Sequence, residues 1–324
     1  MSDQKPTWSI MIPTYEGNPE YIRETIRSVL TEDMGPDKMQ ITLVDNGSVK
    51  NDFKALVEEE GKGRVEYYRH PETIKYLDNF NSCIDMARGE YVHLLHDDDT
   101  VEPGFYTKVE AAFTLHPEIG YAFTRHKFMN QDGKVFTLSP LEKKQPGILE
   151  DWVDVIATKQ SIYYASVVVP KSVYLREGSF NNTFNTCAED WEMWVRLATK
   201  YPVYYIPEPL ASVRIHSNSM SKSLFQSGAL ISESRKAIET FSSLLPEEKR
   251  SKLSKAAKEH IANVGISYAN SFAGSGQTKV AITLAQEAVK TTLSPKVFFK
   301  LLETSARIGL SIFRKHGGQF SFGG

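Results

Sequence analysis

Three consecutive carboxylates, Asp97-Asp98-Asp99, close an apolar run that begins at Glu90-Tyr91-Val92-His93-Leu94-Leu95-His96. Adjacent aspartates repel one another, resist burial and form strands poorly, so at the end of a buried segment they need a cation or hydrogen-bond donors. A divalent metal suits them. Mg2+ and Mn2+ take hard oxygen ligands and usually bind through one or two carboxylates plus substrate phosphates, which points to a nucleotide-diphosphate substrate. The plainer alternative is a solvated turn that caps the helix introduced by Pro103-Gly104.

The elements that must position these carboxylates decide between the two. Tyr91 to Leu95 is too short and too rich in aromatic and β-branched residues for a helix, and reads as a central strand. Upstream, Trp8 to Pro13 reads as a strand, Thr14-Tyr15-Glu16-Gly17-Asn18 as a loop and Pro19 to Leu30 as a helix. A second strand, Ile41 to Val44, ends in Asp45-Asn46-Gly47-Ser48 and leads to a charged helix from Asp52 to Glu60. Arg64 to Tyr68 is a third strand, and Leu77, Phe80, Ile84 and Ala87 give helical spacing to Ile74 to Ala87. This βαβαβαβ order predicts an α/β fold, a mainly parallel Rossmann-like sheet flanked by helices, with ligands beyond the carboxyl ends of the strands. The loop after Pro13, the loop at Asp45 and the three aspartates all fall on that edge, which favours a site.

Further along, the pattern predicts a helix over Tyr106 to Leu115, a strand over Ile119 to Thr124, a hairpin turn at Asn130-Gln131-Asp132-Gly133 and a loop from Ser139 to Gly147. A helix over Leu149 to Thr158 and a strand over Tyr163 to Val169 follow. Glu189-Asp190 runs into an amphipathic helix, Trp191 to Tyr201, before strands at Val203 to Ile206 and Leu210 to Ile215. Residues 1–222 are expected to form this domain. From 223 to 324 the strand signals vanish, leaving a helical C-terminal region with helices over about 224–243, 247–272, 278–290 and 295–315. Within it, Ile266 to Ala288 resembles a tetratricopeptide helix pair, although one pair is not an array.

The 324 residues, 41% hydrophobic, suffice for one large core and a second, smaller domain. A formal net charge of -2 excludes a whole-molecule basic field for nucleic acid. Cys83 and Cys187 form no C-x-x-C pair and indicate neither zinc nor a disulfide framework, which fits a reducing compartment. Met1 to Thr7 lacks an apolar signal region and no run is long enough for a membrane span, so a soluble or peripheral protein is expected.

At this point the chain resembles a family-2 glycosyltransferase of the GT-A fold. The motifs are Ser9-Ile10-Met11-Ile12-Pro13-Thr14-Tyr15, then Leu43-Val44-Asp45-Asn46-Gly47-Ser48, then Asn79-Phe80-Asn81 with Ala87-Arg88-Gly89-Glu90-Tyr91 and the aspartates, and finally Glu189-Asp190-Trp191 with Arg214-Ile215-His216. They span about residues 8 to 220 and leave the helical region outside.

The resemblance implies a nucleotide-diphosphate-sugar donor and inversion at the anomeric carbon. Pro13, Thr14, Tyr15, Glu16 and Asp45 would hold the base and ribose, with Asn79 and Asn81 lining the same pocket or standing as exposed helix residues. The family's metal motif is Asp-x-Asp or Asp-x-Asp-Asp, and His96 stands here where the longer form begins. Aligning the paired carboxylates makes Asp98 the ligand of Mn2+ or Mg2+, with Asp97 toward ribose or metal and Asp99 in support; the shorter motif would bracket the cation with Asp97 and Asp99. His216 completes the ligand set or meets a phosphate. Asp190 is implied as the base that deprotonates the acceptor, with Glu189 beside it. Trp191 and Trp194, about one turn apart, offer a flat surface to an acceptor sugar or pack in the core.

In the last predicted helix, Lys296, Lys300, Glu303, Arg307 and Arg314 share a stripe beside apolar residues, a pattern that fits an interfacial helix over 295–316 or packing on the preceding helices. The expected protein is therefore a cytoplasmic glycosyltransferase that extends a glycan or lipid-linked acceptor in bacterial surface polysaccharide synthesis, with the membrane's inner face as its place of work if that helix binds lipid. Two rivals are a sugar nucleotidyltransferase, which needs a glycine-rich basic loop after the first strand that Thr14-Tyr15-Glu16 does not supply, and a non-catalytic sugar- or partner-binding module.

Overall fold

The computed structural model describes residues 5–216 and 220–305. The chain folds as two units: Met1–Trp152 with Ser161–Asn182 and Lys200–His216, and Val153–Gln160 with Thr183–Thr199 and Ser217–Gly324. Where the sequence predicts one boundary at 222, two inner segments, including the one carrying Glu189 and Asp190, group with the C-terminal helices.

The first unit starts with the expected alternation: β1 (Trp8–Thr14), α1 (Pro19–Thr31), β2 (Met39–Asp45), α2 (Phe53–Gly61), β3 (Glu66–Arg69), α3 (Tyr76–Met86) and β4 (Tyr91–Leu94). β1 and β2 are buried at every position, as apolar runs covered on both faces should be. Asn18 caps α1 by accepting from the Glu20 N–H at 2.9 Å, with Pro19 at the first helical position, so the helix starts directly off the β1 loop. Gly89 is required where the chain enters β4. A Cβ there would lie 2.4 Å from the Trp8 carbonyl carbon and 2.6 Å from the Ser9 nitrogen, and backbone cannot move aside.

β5 (Thr100–Val101), α4 (Phe105–Leu115), β6 (Tyr121–Asn130), β7 (Val135–Leu138), β8 (Gly147–Ile148), α5 (Trp152–Ile156), β9 (Val167–Pro170), α6 (Lys171–Glu177), α7 (Glu189–Ala198) and β10 (Val203–Ile215) follow in the chain. The sheet runs β3-β2-β1-β4-β9-β6-β10-β5. Its first four strands are all parallel. Beyond β4 the sheet is mixed, because β9 is antiparallel to both neighbours while β6 and β10 are parallel. The strands expected at 203–206 and 210–215 are one, with register shifts around Pro209, where a residue without an N–H interrupts the ladder. The helix expected over 149–158 shortens to α5, and the strand expected from Tyr163 begins as a 3-10 turn, Tyr164–Ser166. Trp8, Ile10, Ile12, Ile22, Ile26, Ile41, Leu43, Phe105 and Tyr106 lie in the core, formed where α1 and α4 cover the sheet.

The second unit holds α7 and the helices α8 (Met220–Ser227), α9 (Ala229–Ser242), α10 (Glu247–Gly274) and α11 (Thr278–Thr291), and the chain is again helical at 295–305. The single helix expected over 224–243 is two, α8 and α9. Ala262, Ile266, Ala288 and Val297 form a small core, joined by Leu301.

Candidate active site

Strand register puts the tips of the parallel strands level. Thr14 pairs with Asp45 and Asp45 with Arg69, while Leu94 of β4 pairs with Met11, so the segment His96 to Asp99 emerges beside the end of β1. The three predicted loops meet at one rim of the first unit.

Asp97 turns toward β1, where its Oδ2 accepts the Thr14 hydroxyl. Gly17 makes room for it: a Cβ at residue 17 would lie 2.1 Å from that Oδ2 and 2.7 Å from Thr14 Oγ1. Burial first, and the charge of Asp98 second, push the Asp97 carboxyl up to about 7. Asp98 Oδ2 lies 3.0 Å from His216 Nε2. Asp99 is 4% exposed, and its Oδ1 accepts the Arg214 main-chain N–H at 2.8 Å while its carbonyl accepts Thr25 Oγ1 at 2.7 Å. Burial, with the neighbouring Asp98 charge, raises its carboxyl well above the usual range.

Arg214 frames the cluster without neutralising it by side-chain hydrogen bonds. Its guanidinium donates to the Asp98 carbonyl at 2.9 Å, to the Gln131 carbonyl at 3.2 Å and to Glu24, and it lies 4.3 Å from the centre of the Tyr21 ring. His96 is held between the Tyr164 and Phe80 rings, at 4.6 and 5.5 Å between centroids, and its Nε2 is buried without a hydrogen-bond partner. One ligand atom from each of His96, Asp98 and Asp99 lies within 4.8 Å of the others. That group matches the longer register, with histidine at its first position. Asp97 stands outside it, which departs from the bracketing of a cation by Asp97 and Asp99. Two carboxylates, a histidine and an orphaned imidazole nitrogen fit a divalent cation.

The residues expected around the nucleotide divide in two. Tyr15 is 56% exposed at the rim, an open ring face; Pro13 and Thr14 are buried beneath it. Glu16 instead ties two loops together: its N–H donates to Ser48 Oγ at 2.9 Å and its carboxylate accepts from the N–H groups of Val49 and Lys50 at 3.0 and 3.3 Å. Asp45 is fully buried, with Oδ1 accepting the Ser48 N–H at 2.9 Å and Oδ2 the Tyr67 hydroxyl at 2.7 Å. It shapes the rim from behind, whereas an open acceptor was expected. Arg69 Nε is 3.9 Å from it and the Arg69 side chain is 47% exposed, a cation at the rim that no sequence motif signals. Asn79 is 3% exposed with its Oδ1 unpartnered. Asn81 is partnered: it exchanges hydrogen bonds with the Phe180 main chain at 2.9 and 3.0 Å.

In the second unit, Glu189 and Asp190 open α7 as expected. Asp190 Oδ2 accepts from Gln160 Nε2 at 2.6 Å, and Oδ1 accepts the Trp191 N–H at 2.7 Å, one of the free donors of a helix start. Burial first, then the Glu189 carboxylate, push Asp190 up to about 8, a value suited to a general base working near neutral pH. Trp191 and Trp194 are each 1% exposed, and Trp191 Nε1 donates to the Ile156 carbonyl at 2.6 Å while its ring packs on Phe241. Both are core residues, and neither presents the open ring face that a sugar platform needs.

Residues 9–163 match the family model described as glycosyl transferase family 2. An uncharacterized glycosyltransferase of Rickettsia felis is 24% identical over 226 residues, which cover 68% of this chain and 36% of that protein, so the chain spans little more than a third of its length. The UDP-forming cellulose synthase catalytic subunit of Pseudomonas fluorescens is 25% identical over 131 residues, 40% of this chain and 17% of that protein. Among solved structures, S. aureus TarS 1-349 in complex with UDP superposes with a TM-score of 0.65 at 14% identity, covering 97% of this chain and 93% of that one. The same protein in complex with UDP-GlcNAc gives 0.65 at 13% identity, covering 96% and 92%. The likeness to these structures is one of fold: a GT-A-like α/β arrangement with a mixed sheet, followed by helices.

Proposed function

We propose that this chain, whose residues 9–163 are a glycosyl transferase family 2 domain, transfers a sugar with inversion from a nucleoside-diphosphate donor to a glycan or lipid-linked acceptor. The observation that carries this reading is the meeting, at one sheet rim, of the exposed Tyr15, the Thr14–Asp97 pair and the Asp98–His216 pair. Tyr15 gives the base a ring to lie on, and Arg69 gives the diphosphate a cation. Asp98, Asp99 and a histidine hold the divalent cation, whose chemistry is to offset the charge that develops on the departing diphosphate. Asp190, ionised, takes the acceptor hydroxyl proton as the oxygen bonds to the anomeric carbon and the bond to the diphosphate breaks. Burial, and after it the Glu189 carboxylate, raises the proton affinity of Asp190 and so the pH at which it works.

UDP-sugars are the donors to test first, because TarS was solved with UDP and UDP-GlcNAc and the cellulose synthase subunit is named for forming UDP. A thermal-shift screen of nucleoside diphosphates and their sugars, with and without Mn2+, identifies the donor through its stabilisation of the folded state. Nucleotide release with and without Mn2+, and after Asp190→Asn, then separates transfer from nucleotidyl transfer and from binding without catalysis. A protein that neither binds nor releases any nucleoside diphosphate contradicts the proposal.

The work-place proposed is the cytoplasmic face of the membrane. Among the described residues no helix is long and apolar enough to cross a membrane. The helix at 295–305 buries Val297 against α10 and α11 yet leaves Phe298, Phe299 and Leu302 between 51 and 66% exposed, beside Lys296 and Lys300, which supports a peripheral lipid contact. The remainder of the predicted stripe, Arg307 and Arg314 included, lies outside the described residues.

A further inference from the structure

His96 distinguishes this site from one built of carboxylates. We infer that His96 is a direct ligand of the cation and that it makes the site select first-row transition cations, Mn2+ or Co2+, over Mg2+. The inference rests on the glycosyl-transfer reading for the existence of a cation, and goes beyond it in naming which cation and why. Three observations carry it. His96 stands two residues before Asp98, directly ahead of the three aspartates at the end of β4. A ligand atom of its ring lies within 4.8 Å of those of both Asp98 and Asp99. Its Nε2 is removed from solvent and has no hydrogen-bond partner, a desolvated lone pair or N–H that no protein group compensates.

The aromatic setting fits that role. Tyr164 and Phe80 fix the plane of the imidazole through ring contacts at 4.6 and 5.5 Å, so the ring is oriented before any ligand arrives. Mg2+ prefers oxygen donors and near-ideal octahedral geometry, and gains little from an imidazole; affinity for nitrogen rises from Mn2+ through Co2+ along the first row. Replacing one carboxylate by a neutral ring also removes a unit of negative charge, which weakens the purely electrostatic attraction that Mg2+ depends on most.

The test measures the cation itself, in the full chain. Electron spin-echo spectra of bound Mn2+ should show nitrogen modulation in the wild type and in His216→Gln, and should lose it in His96→Gln. By calorimetry, His96→Gln should weaken Co2+ binding by more than about tenfold, the scale on which metal-site support is lost. His96→Asp should bind Mg2+ more tightly than the wild type does. Because the ring packs on Tyr164 and Phe80, circular dichroism checks that each variant folds, and the His216→Gln spectrum stands even if neither His96 variant does. Nitrogen modulation absent from His216→Gln with Mn2+ bound, whether or not the wild type shows it, overturns the inference while leaving sugar transfer standing. Absence of any divalent-cation binding, with UDP present, overturns both the inference and the metal role proposed above.

Discussion

The main-chain N–H of Arg214 donates to Asp99 Oδ1 at 2.8 Å across 115 residues of sequence, joining the end of β10 to the acidic segment after β4. The same residue's side chain holds the Asp98 carbonyl, the Gln131 carbonyl and Glu24, so one arginine fixes Asp98, Asp99 and the β6–β7 turn.

Arg214→Ala should therefore destabilise the fold and weaken cation binding together. Its side chain is 1% exposed, and removing it takes donors from the part-buried Asp98 and Gln131 carbonyls and the partner from a half-exposed Glu24, a loss of about 1 to 2 kcal/mol. Arg214→Lys should recover little, since an ammonium cannot span carbonyls and a carboxylate that a planar fork reaches at once. Urea unfolding and Mn2+ calorimetry on both variants check this; a stable Lys variant with wild-type affinity contradicts it.

Gly17→Ala should leave the core folded yet disable the rim. The new methyl group would fall on the Asp97 carboxylate and the Thr14 hydroxyl, both side-chain atoms able to swing, so the fold survives and their hydrogen bond does not. Nucleotide affinity should drop by about tenfold or more, equivalent to some 1.4 kcal/mol, with the melting temperature changed little. Gly89→Ala is the contrasting case, since its methyl group meets the main chain at Trp8 and Ser9 and unfolding should result. Fluorescence titration with UDP and a thermal melt separate the two.

These contrasts mark what the sequence could and could not convey. Apolar runs ending in polar loops made β1, β2 and β4 and their common rim legible, because period and burial are local properties. The parallel pairing of β6 with β10 was not, since register is set by partners some 80 residues apart. His96 and Arg214 were both visible in motifs, but one matters through a partner it lacks and the other through main-chain carbonyls, and neither leaves a trace in residue type. Asp45 read as an open acceptor because a strand-end Asp-Asn-Gly looks the same whether its carboxylate faces a ligand or, as here, Ser48 and Tyr67. For Trp191 and Trp194, helical spacing showed one face without showing that Phe241 covers part of it.

Lipid contact makes a separate prediction. Phe298→Ser with Phe299→Ser removes two exposed rings and spares the buried Val297, so the melting temperature should hold while cosedimentation with anionic vesicles falls. Unchanged cosedimentation means that this helix does not carry the protein to the membrane.

Asp190 gives the sharpest pH prediction, because activity and stability should move in opposite directions. The folded carboxyl keeps its proton up to about 8, held there by burial and by Glu189, against an ordinary value of 3.8. Between those two values the folded state binds the extra proton, so this residue makes stability fall as pH rises across that window and the full penalty is present above it. Its use as a base requires the opposite form, so kcat/KM should climb with pH and level off above about 8. Asp190→Asn cannot ionise: transfer should drop by about two to four orders of magnitude, the scale of a general base, and the climb should vanish. The melting temperature of the variant relative to the wild type should rise from about pH 5 to about pH 8 and level off above it, although the amide must face two donors, Gln160 Nε2 and the Trp191 N–H, and loses part of that gain unless Gln160 turns its oxygen inward. A melting difference that does not vary with pH, or a wild-type rate profile already flat at pH 6, contradicts a proton held by Asp190.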